Sequence, residues 1–196
     1  MFTGMIQHQG RFLRYGRGKQ EMTLESAALG EQLKAGDSLS VNGVCLTLTA
    51  KDKSGLVFNL SQETLSRTTL GGLTAGAPLN LELPLTLNTP LSGHLVTGHV
   101  DYRGKVVRLV ERRPGRRMSV SLPPAARPLA VLKGSVAVDG VSLTVASVGA
   151  SFFEVELIPL TLRETTLGRL RPGDAVNVEC DIIGKYVYNR LSRGKR

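Results

Sequence analysis

Cys45 and Ser142 stand at the same place in two nearly identical phrases, VNGVCLTLT at 41–49 and VDGVSLTVA at 138–146. A free thiol, with a pKa of about 8.5, is the more acidic and more nucleophilic of the two groups. A protein that keeps one of each at equivalent positions can give them unequal parts in one reaction. The same phrases set Asn42 against Asp139. Only the aspartate can carry charge, and it could accept a hydrogen bond, orient Ser142 three residues on, or stabilise a developing cation. A third contrast falls at His99 in TGHVD, aligned with Met5 in TGMIQ. An imidazole with a pKa of about 6.5 accepts protons near neutral pH, and only one copy has it there. His94 lies in the same block with less to single it out. Each of these residues also has a plainer reading: Cys45 as a small buried apolar group in a strand, Asn42 and Asp139 as turn residues, and His99 as an exposed side chain at a barrel edge.

The phrases belong to a longer repeat, which must supply the elements that position them. At an offset of 97, ETLSRTTLGGL at 63–73 falls on LTLRETTLGRL at 160–170, and Asn80 and Glu82 in LNLEL fall on Asn177 and Glu179 in VNVEC. Upstream the offset is 94, taking TGMIQHQG at 3–10 onto TGHVDYRG at 97–104, so a length difference of three residues lies between the blocks. Period-two alternation in SLSVNGVCLTLTA, LVFNLS, PLNLEL, GSVAVDGVSLTVA, FFEVELI and AVNVEC predicts short strands. They are separated by turn signals at 34–37, Asn42-Gly43, Asp139-Gly140 and 171–174. The Asn-Gly and Asp-Gly pairs suit a tight turn with positive φ, joining two strands or kinking one. Each half therefore reads as an antiparallel barrel of about six strands. Short helices are predicted at PAARPLAVL, at ETLSRT and at its counterpart LTLRET. Ile183, Val187 and Leu191 in DIIGKYVYNRL predict a C-terminal amphipathic helix that packs against a partner subunit.

With 196 residues the chain can form two small domains. Each would be near the lower size for independent stability, so packing between halves or between subunits is expected. No run approaches the roughly 18 apolar residues that cross a bilayer. The start, MFTGMIQHQGR, lacks the pattern of a secretory signal, so the cytoplasm is the expected location. Cys45 and Cys180 form no C-x-x-C motif, and a disulfide is not expected in a reducing compartment. His8, His94 and His99 lack the neighbouring cysteines that would complete a metal site, so none is expected. The net charge of +9 invites a nucleic-acid reading, but its excess lies in ERRPGRR at 111–117 and RLSRGKR at 190–196, where aromatics that could stack bases are sparse. A solvated basic surface is the expectation.

MFTG, NGVCLT, SGHLVTGHVD, KGSVAVDGVSLTV, LIPLTLRETTLG and GDAVNVECD occur in this order over nearly the whole chain, which closely resembles the riboflavin synthase family. The resemblance implies an all-β fold: two tandem, similar, six-stranded antiparallel Greek-key barrels with a short C-terminal α-helix. It implies an N-terminal lumazine-binding barrel at 1–97, a C-terminal lumazine-binding barrel at 98–185, and a C-terminal helix and basic tail at 186–196. It also implies a cytoplasmic homotrimer that uses no cofactor, with no nucleic-acid or membrane partner, and association with lumazine synthase. Two molecules of 6,7-dimethyl-8-ribityllumazine would yield riboflavin and 5-amino-6-ribitylaminouracil by transfer of a four-carbon unit. The sites would lie where the N-terminal barrel of one subunit meets the C-terminal barrel of its neighbour. The alternative is a lumazine- or flavin-binding protein of the same fold without turnover. Such binders tend to lose the repeated motifs in one half, and here both halves keep them.

That reaction needs a proton removed from the 7-methyl group of one lumazine, a nucleophile added to the ring of the other, and the two rings in register. Orientation alone can supply about 7–11 kcal/mol toward such a barrier. Carried over residue by residue, the resemblance implies Cys45, Ser142, His99, Asp139, Ser38 and Asp181 as catalytic candidates, with Ser38 beside Cys45 and Asp181 assisting from the other barrel. The implied substrate contacts in the first barrel are Gly4, Met5 and Ile6, then Cys45, Leu46 and Thr47, then Asn59, Leu60, Ser61, Gln62, Glu63 and Thr64. Those in the second are Gly98, His99 and Val100, Lys133, then Ser142, Leu143 and Thr144, then Ile158, Pro159, Leu160, Thr161, Leu162 and Arg163. Phe2 would cover the ring or order the N-terminal loop. Strand propensity is the plainer explanation of the threonines. Val44 stands where some family members have a second cysteine, which argues against an essential thiol at 44.

Overall fold

Alternation along one strand decides which residues enter the core. In VCLTLT, Leu46 and Leu48 are buried while Cys45, Thr47 and Thr49 lie toward the outside, and VSLTV repeats this with Leu143 and Val145 inside and Ser142 and Thr144 outside. A closed sheet needs this period of two. The computed structural model describes residues 1–53 and 55–193. The last three residues of the basic tail lie outside the described residues.

The first barrel comprises β1 (His8–Tyr15), β2 (Glu21–Glu25), β3 (Ser38–Val41), β4 (Val44–Asp52), β5 (Gly55–Asn59) and β6 (Pro78–Glu82), closed in the order β1-β2-β5-β4-β3-β6. The second comprises β7 (Tyr102–Arg112), β8 (Gly115–Ser121), β9 (Ser135–Val138), β10 (Val141–Val148), β11 (Phe152–Leu157) and β12 (Ala175–Cys180), closed as β7-β8-β11-β10-β9-β12. All pairings are antiparallel and the order is the same Greek key twice. Bulges recur at matching places, between Leu48 and Ala50 in β4 and between Val145 and Ser147 in β10, where the sheet must bend to close. Leu39, Leu48, Phe58, Leu79 and Leu81 fill the first core, and Met118, Val120, Phe153, Val155 and Val176 the second. Each such side chain contributes about 1.5–3 kcal/mol on burial. The three-residue length difference is divided. Tyr15 faces Met22 but Leu109 faces Met118, so the β7–β8 hairpin is two residues longer, and one more residue falls between β8 and β9.

Helices α1 (Gln62–Arg67) and α2 (Pro159–Glu164) follow β5 and β11 as expected. PAARPLAVL forms a single 3-10 turn at Arg127–Leu129 rather than a helix, because Pro128 lacks the N–H that a helix begun at Pro124 would need at that position. Helix α3 (Ile182–Arg193) begins four residues ahead of the boundary drawn at 186. Its start is held by Asp181, whose carboxylate accepts from the Ile183 N–H at 2.9 Å, and by a Lys185–Asp101 ion pair at 2.7 Å. Part of the basic run at 111–117 is ion-paired: Arg116 with Glu111 at 2.7 Å, and Arg117 with Glu154 and Glu156.

The barrels meet about an approximate dyad. The turns Asn42-Gly43 and Asp139-Gly140 have positive φ at both positions, as two-residue hairpin loops require, and they touch backbone to backbone. A Cβ on Gly43 would lie 2.6 Å from the Gly140 nitrogen. Around them Asn80 donates from Nδ2 to the Asp139 carbonyl at 3.0 Å, and Asn177 donates from Nδ2 to the Asn42 carbonyl at 2.8 Å. The amide oxygens of the same two residues accept from Thr166 and Thr69 across the interface. The repeated asparagines thus bind each barrel to the other.

Candidate active site

Two buried glutamates build the same loop twice. Glu82, at the end of β6, accepts from the Thr3 N–H at 2.7 Å, the Thr3 hydroxyl at 2.6 Å and the Gly4 N–H at 3.0 Å. Glu179 does the same in β12 for the Thr97 N–H, the Thr97 hydroxyl and the Gly98 N–H at 2.7, 2.7 and 2.9 Å. Burial pushes the Glu82 pKa above the usual carboxylate range, against the lowering effect of its donors. Each loop then reaches the other barrel. The Gly4 carbonyl accepts from the Ser142 N–H at 2.7 Å, and the Gly98 carbonyl accepts from the Cys45 N–H at 2.9 Å. Neither glycine can carry a side chain here: a Cβ would meet the Ser142 Cβ at 2.6 Å in one case and the Cys45 Cβ at 2.5 Å in the other.

Beside Cys45 lies a cleft of about 250 Å³, walled by Ser61, Glu63, Thr64 and Arg67 of the α1 region and closed by Gly98, His99 and Val100. The Ser61 hydroxyl caps α1, accepting from the Thr64 N–H at 3.0 Å, and Glu63 pairs with Arg67 at 3.2 Å. Beside Ser142 the equivalent helix presents Ile158 and Leu160, both largely exposed, where the first copy has Ser61 and Glu63. The inter-barrel connection also adds a group that the first site lacks. Gly93 lies against Ser142, the His94 N–H donates to the Thr3 carbonyl at 3.1 Å, and His94 Nδ1 is 2.7 Å from Ser142 Oγ. Burial holds the His94 pKa below its ordinary value, partly offset by the negative charge of Asp181. A neutral imidazole is therefore the resting form near pH 7, able to accept the Ser142 hydroxyl proton through Nδ1. His94 Nε2 is buried with no partner.

A family model described as the lumazine binding domain matches this chain twice, over residues 3–84 and 97–181. Riboflavin synthase of Bacillus subtilis (strain 168) is 36% identical over 195 residues, spanning 98% of this chain and 91% of that one. Riboflavin synthase of Mycobacterium bovis (strain ATCC BAA-935 / AF2122/97) is 38% identical over 201 residues, 98% of each chain. The chain belongs to the riboflavin synthase family. Among solved structures, LumP complexed with 6,7-dimethyl-8-(1'-D-ribityl) lumazine superposes with a TM-score of 0.81 at 21% identity, covering 91% of this chain and 98% of that one. LumP complexed with riboflavin gives 0.83 at 21% identity, with 92% and 99% covered. These share the two-barrel fold.

The riboflavin synthase candidates do not group as the chain order suggests. Gly4, Met5 and Ile6 serve the second barrel's face: Gly4 lies on Ser142 and Ile6 packs on the second core. Gly98, His99 and Val100 serve the first: Gly98 lies on Cys45, and Val100 packs on the first core. Assigning each segment to its own half is corrected by this exchange. Ser38 sits opposite Thr47 in the β3–β4 ladder, and the residue facing Cys45 is Ser40. Thr144 and Asn59 are exposed, whereas Leu46, Leu60 and Leu143 turn into the cores and leave only backbone for a ligand. Phe2 is fully buried with Val96 and Ala137, and its N–H donates to the Val96 carbonyl at 2.7 Å, so it orders the N-terminal loop rather than covering a ring.

Lys133 is exposed with φ of +66°, where the first copy has Gly36 at +95°. Leu162 is half-buried, while Gln62, Pro159, Thr161 and Arg163 complete the two short helices. The Asp139 carboxylate does not reach Ser142. It accepts from the Asn177 N–H at 2.8 Å, as the Asn42 amide oxygen accepts from Asn80 at 2.7 Å. Desolvation pushes its pKa up to about 7. Cys180 is buried, with its thiol pushed up to about 12 by desolvation. Among the described residues no group of His, Cys, Asp and Glu is arranged to hold a metal, and no helix is long and apolar enough to cross a membrane.

Sequence reasoning undervalued His94 and read Glu82 and Glu179 only as a repeated pair. The available signal was that SGH at 92–94, just ahead of the repeated TGHVD, joins the halves and has no counterpart in the first copy, and that each Thr-Gly pair recurs with one strand glutamate.

Proposed function

We propose that the protein catalyses the dismutation of two molecules of 6,7-dimethyl-8-ribityllumazine to riboflavin and 5-amino-6-(D-ribitylamino)uracil by four-carbon transfer. The observation that carries this reading is one backbone clamp built twice around different side chains, Cys45 in one site and Ser142 with His94 in the other. Two copies of one compound need similar ring sites, and opposite roles for them need unequal chemistry.

In this reading Ser142, with His94 as proton acceptor, serves one ring; Cys45, with His99 at the rim, serves the other. Asp181 tunes the charge around His94. Lys133 and the segments 59–64 and 158–163 hold the rings and the ribityl chains. Residues 1–97 and 98–185 form the two lumazine-binding units, and no cofactor is required because orientation supplies much of the rate. The exposed Ile183, Tyr186, Val187 and Leu191 of α3 favour a homotrimer in which neighbouring subunits bring unlike sites together. A cytoplasmic location and association with lumazine synthase complete the reading.

Incubating the purified protein with the lumazine and following riboflavin absorbance tests it. Steady production of riboflavin is expected. Saturable lumazine binding with no product would replace this reading with that of a binding protein of the same fold.

A further inference from the structure

Glu82, the last residue of β6, is 1% exposed, and three donors converge on it. The Thr3 N–H and hydroxyl reach Oε1, and the Gly4 N–H reaches Oε2. A carboxylate accepts through both oxygens, whereas an amide of the same shape would turn an N–H toward one of these donors. The Thr3 hydroxyl oxygen accepts in turn from the Met5 N–H at 3.1 Å. One buried side chain of the first barrel thus fixes three consecutive residues ahead of β1.

Both carbonyls of the Thr3-Gly4 pair face the Ser142 site. The Gly4 carbonyl accepts from the Ser142 N–H at 2.7 Å, and the Thr3 carbonyl accepts from the His94 N–H at 3.1 Å. Ser142 Oγ and His94 Nδ1, 2.7 Å apart, therefore belong to residues held by adjacent carbonyls of one dipeptide. The far ring nitrogen, Nε2, is buried with no partner, so the backbone at His94 decides where Nδ1 stands. These contacts have little slack: a Cβ on Gly93 would lie 2.1 Å from the Thr3 carbonyl oxygen and 2.9 Å from the Ser142 Cβ. The Cys45 site has half of this arrangement. Glu179 holds Thr97 and Gly98, and the Gly98 carbonyl accepts from the Cys45 N–H, but His99 belongs to the held loop itself.

We propose that Glu82 is a positioning residue of the proposed reaction: from the first barrel, through Thr3 and Gly4, it sets the distance between Ser142 Oγ and His94 Nδ1. This rests on the reading of Ser142 and His94 as a proton-transferring pair. A misplacement of about 1 Å at such a pair can cost about 10²-fold in rate.

A double-mutant cycle in the full-length protein tests this. E82Q should lower kcat for riboflavin formation at least about tenfold, with KM for the lumazine changed by less than about threefold. In an S142A background, where the pair no longer exists, E82Q should cost less than about threefold more. E179Q, which loosens the equivalent loop on Cys45, should lower kcat by the same factor in S142A as in the parent. Equal losses from E82Q in both backgrounds, or the same non-additivity for E179Q, would overturn the proposal, because Glu82 would then act only through the fold at large.

The His94 ring is also read without turnover, by nitrogen NMR of histidine-labelled protein, with H94Q identifying its resonances. E82Q should shift the Nδ1 resonance, and an unmoved resonance would overturn the proposal. Absence of riboflavin from the parent would overturn the proposed reaction, while the resonance still decides whether Glu82 places His94. Where E82Q does not fold, T3V and T3S decide instead. T3V removes the hydroxyl that Glu82 holds and should lower kcat several-fold and shift the same resonance; T3S keeps the hydroxyl and should restore both. Equal behaviour of T3V and T3S would overturn the proposal.

Discussion

The two barrels use the same hydrogen bonds to present opposite chemistry. In each, a strand glutamate fixes a Thr-Gly loop, the loop glycine supports an outward side chain of the other barrel, and a short helix walls the site. On that common frame the first site has a thiol amid polar and charged side chains, and the second has a hydroxyl bonded to an imidazole, with apolar residues on the adjoining helix. Duplication supplied the frame, and divergence at a few outward positions supplied the difference. This division of labour is efficient because outward positions of a closed barrel can change without disturbing the core.

The comparison is tested most severely at Ser142. Ser142→Ala should lower kcat by about 10²-fold or more, the range for loss of a group acting with a general base, while riboflavin affinity changes little. Cys45→Ala should cost markedly less. Equal losses in steady-state kinetics would break the assignment of the proton-transfer role to the second site.

A smaller effect is expected at the dyad. The Asp139 pKa is about 7 in the folded protein against an ordinary 3.8, so the folded state holds this proton more tightly than the unfolded chain. The associated stability is fully present below about pH 4 and is lost as the pH rises through about 7. Asp139→Asn should abolish that loss, since the equivalent Asn42 makes the same backbone contact with no charge. At pH 8 it should stabilise the protein by roughly 2–4 kcal/mol. Asn42→Asp should install the same pH dependence in the first barrel. Urea unfolding at pH 5 and pH 8 checks both; a pH-independent difference would mean that Asp139 is not charged by burial-opposed titration.

The smallest effect belongs to Lys133. Exchanging it for glycine, as at Gly36, relieves positive-φ strain but frees the unfolded chain, so stability should change by less than about 1 kcal/mol. KM for the lumazine should nevertheless rise several-fold. An unchanged KM would reduce Lys133 to a turn residue and make the two barrels more alike than their sequences suggest.

Much of this was legible in the chain itself. The period-two pattern encodes which side chains are buried, and it predicted β3 to β6 and β9 to β12, while β1, β2, β7 and β8 showed no alternation clear enough to be read. The Asn-Gly and Asp-Gly pairs encode a local backbone conformation and marked the hairpins. The constant offset revealed that one fold had been written twice, and the outward Cys45 and Ser142 emerged from comparing the copies. PAARPLAVL misled because its apolar residues suggested a helix that its prolines deny.

What the sequence could not decide was which loop serves which barrel. Local periodicity fixes how a residue faces its own sheet, but not which sheet lies across from it. The exchange of the Gly4 and Gly98 loops, the union of His94 with Ser142 across 48 residues, and the seclusion of Asp139 from Ser142 all follow from docking one closed barrel against another. That docking depends on long-range hydrogen bonds of Asn80 and Asn177 and on glycine backbones close enough to touch, and only the tertiary structure brings those groups together.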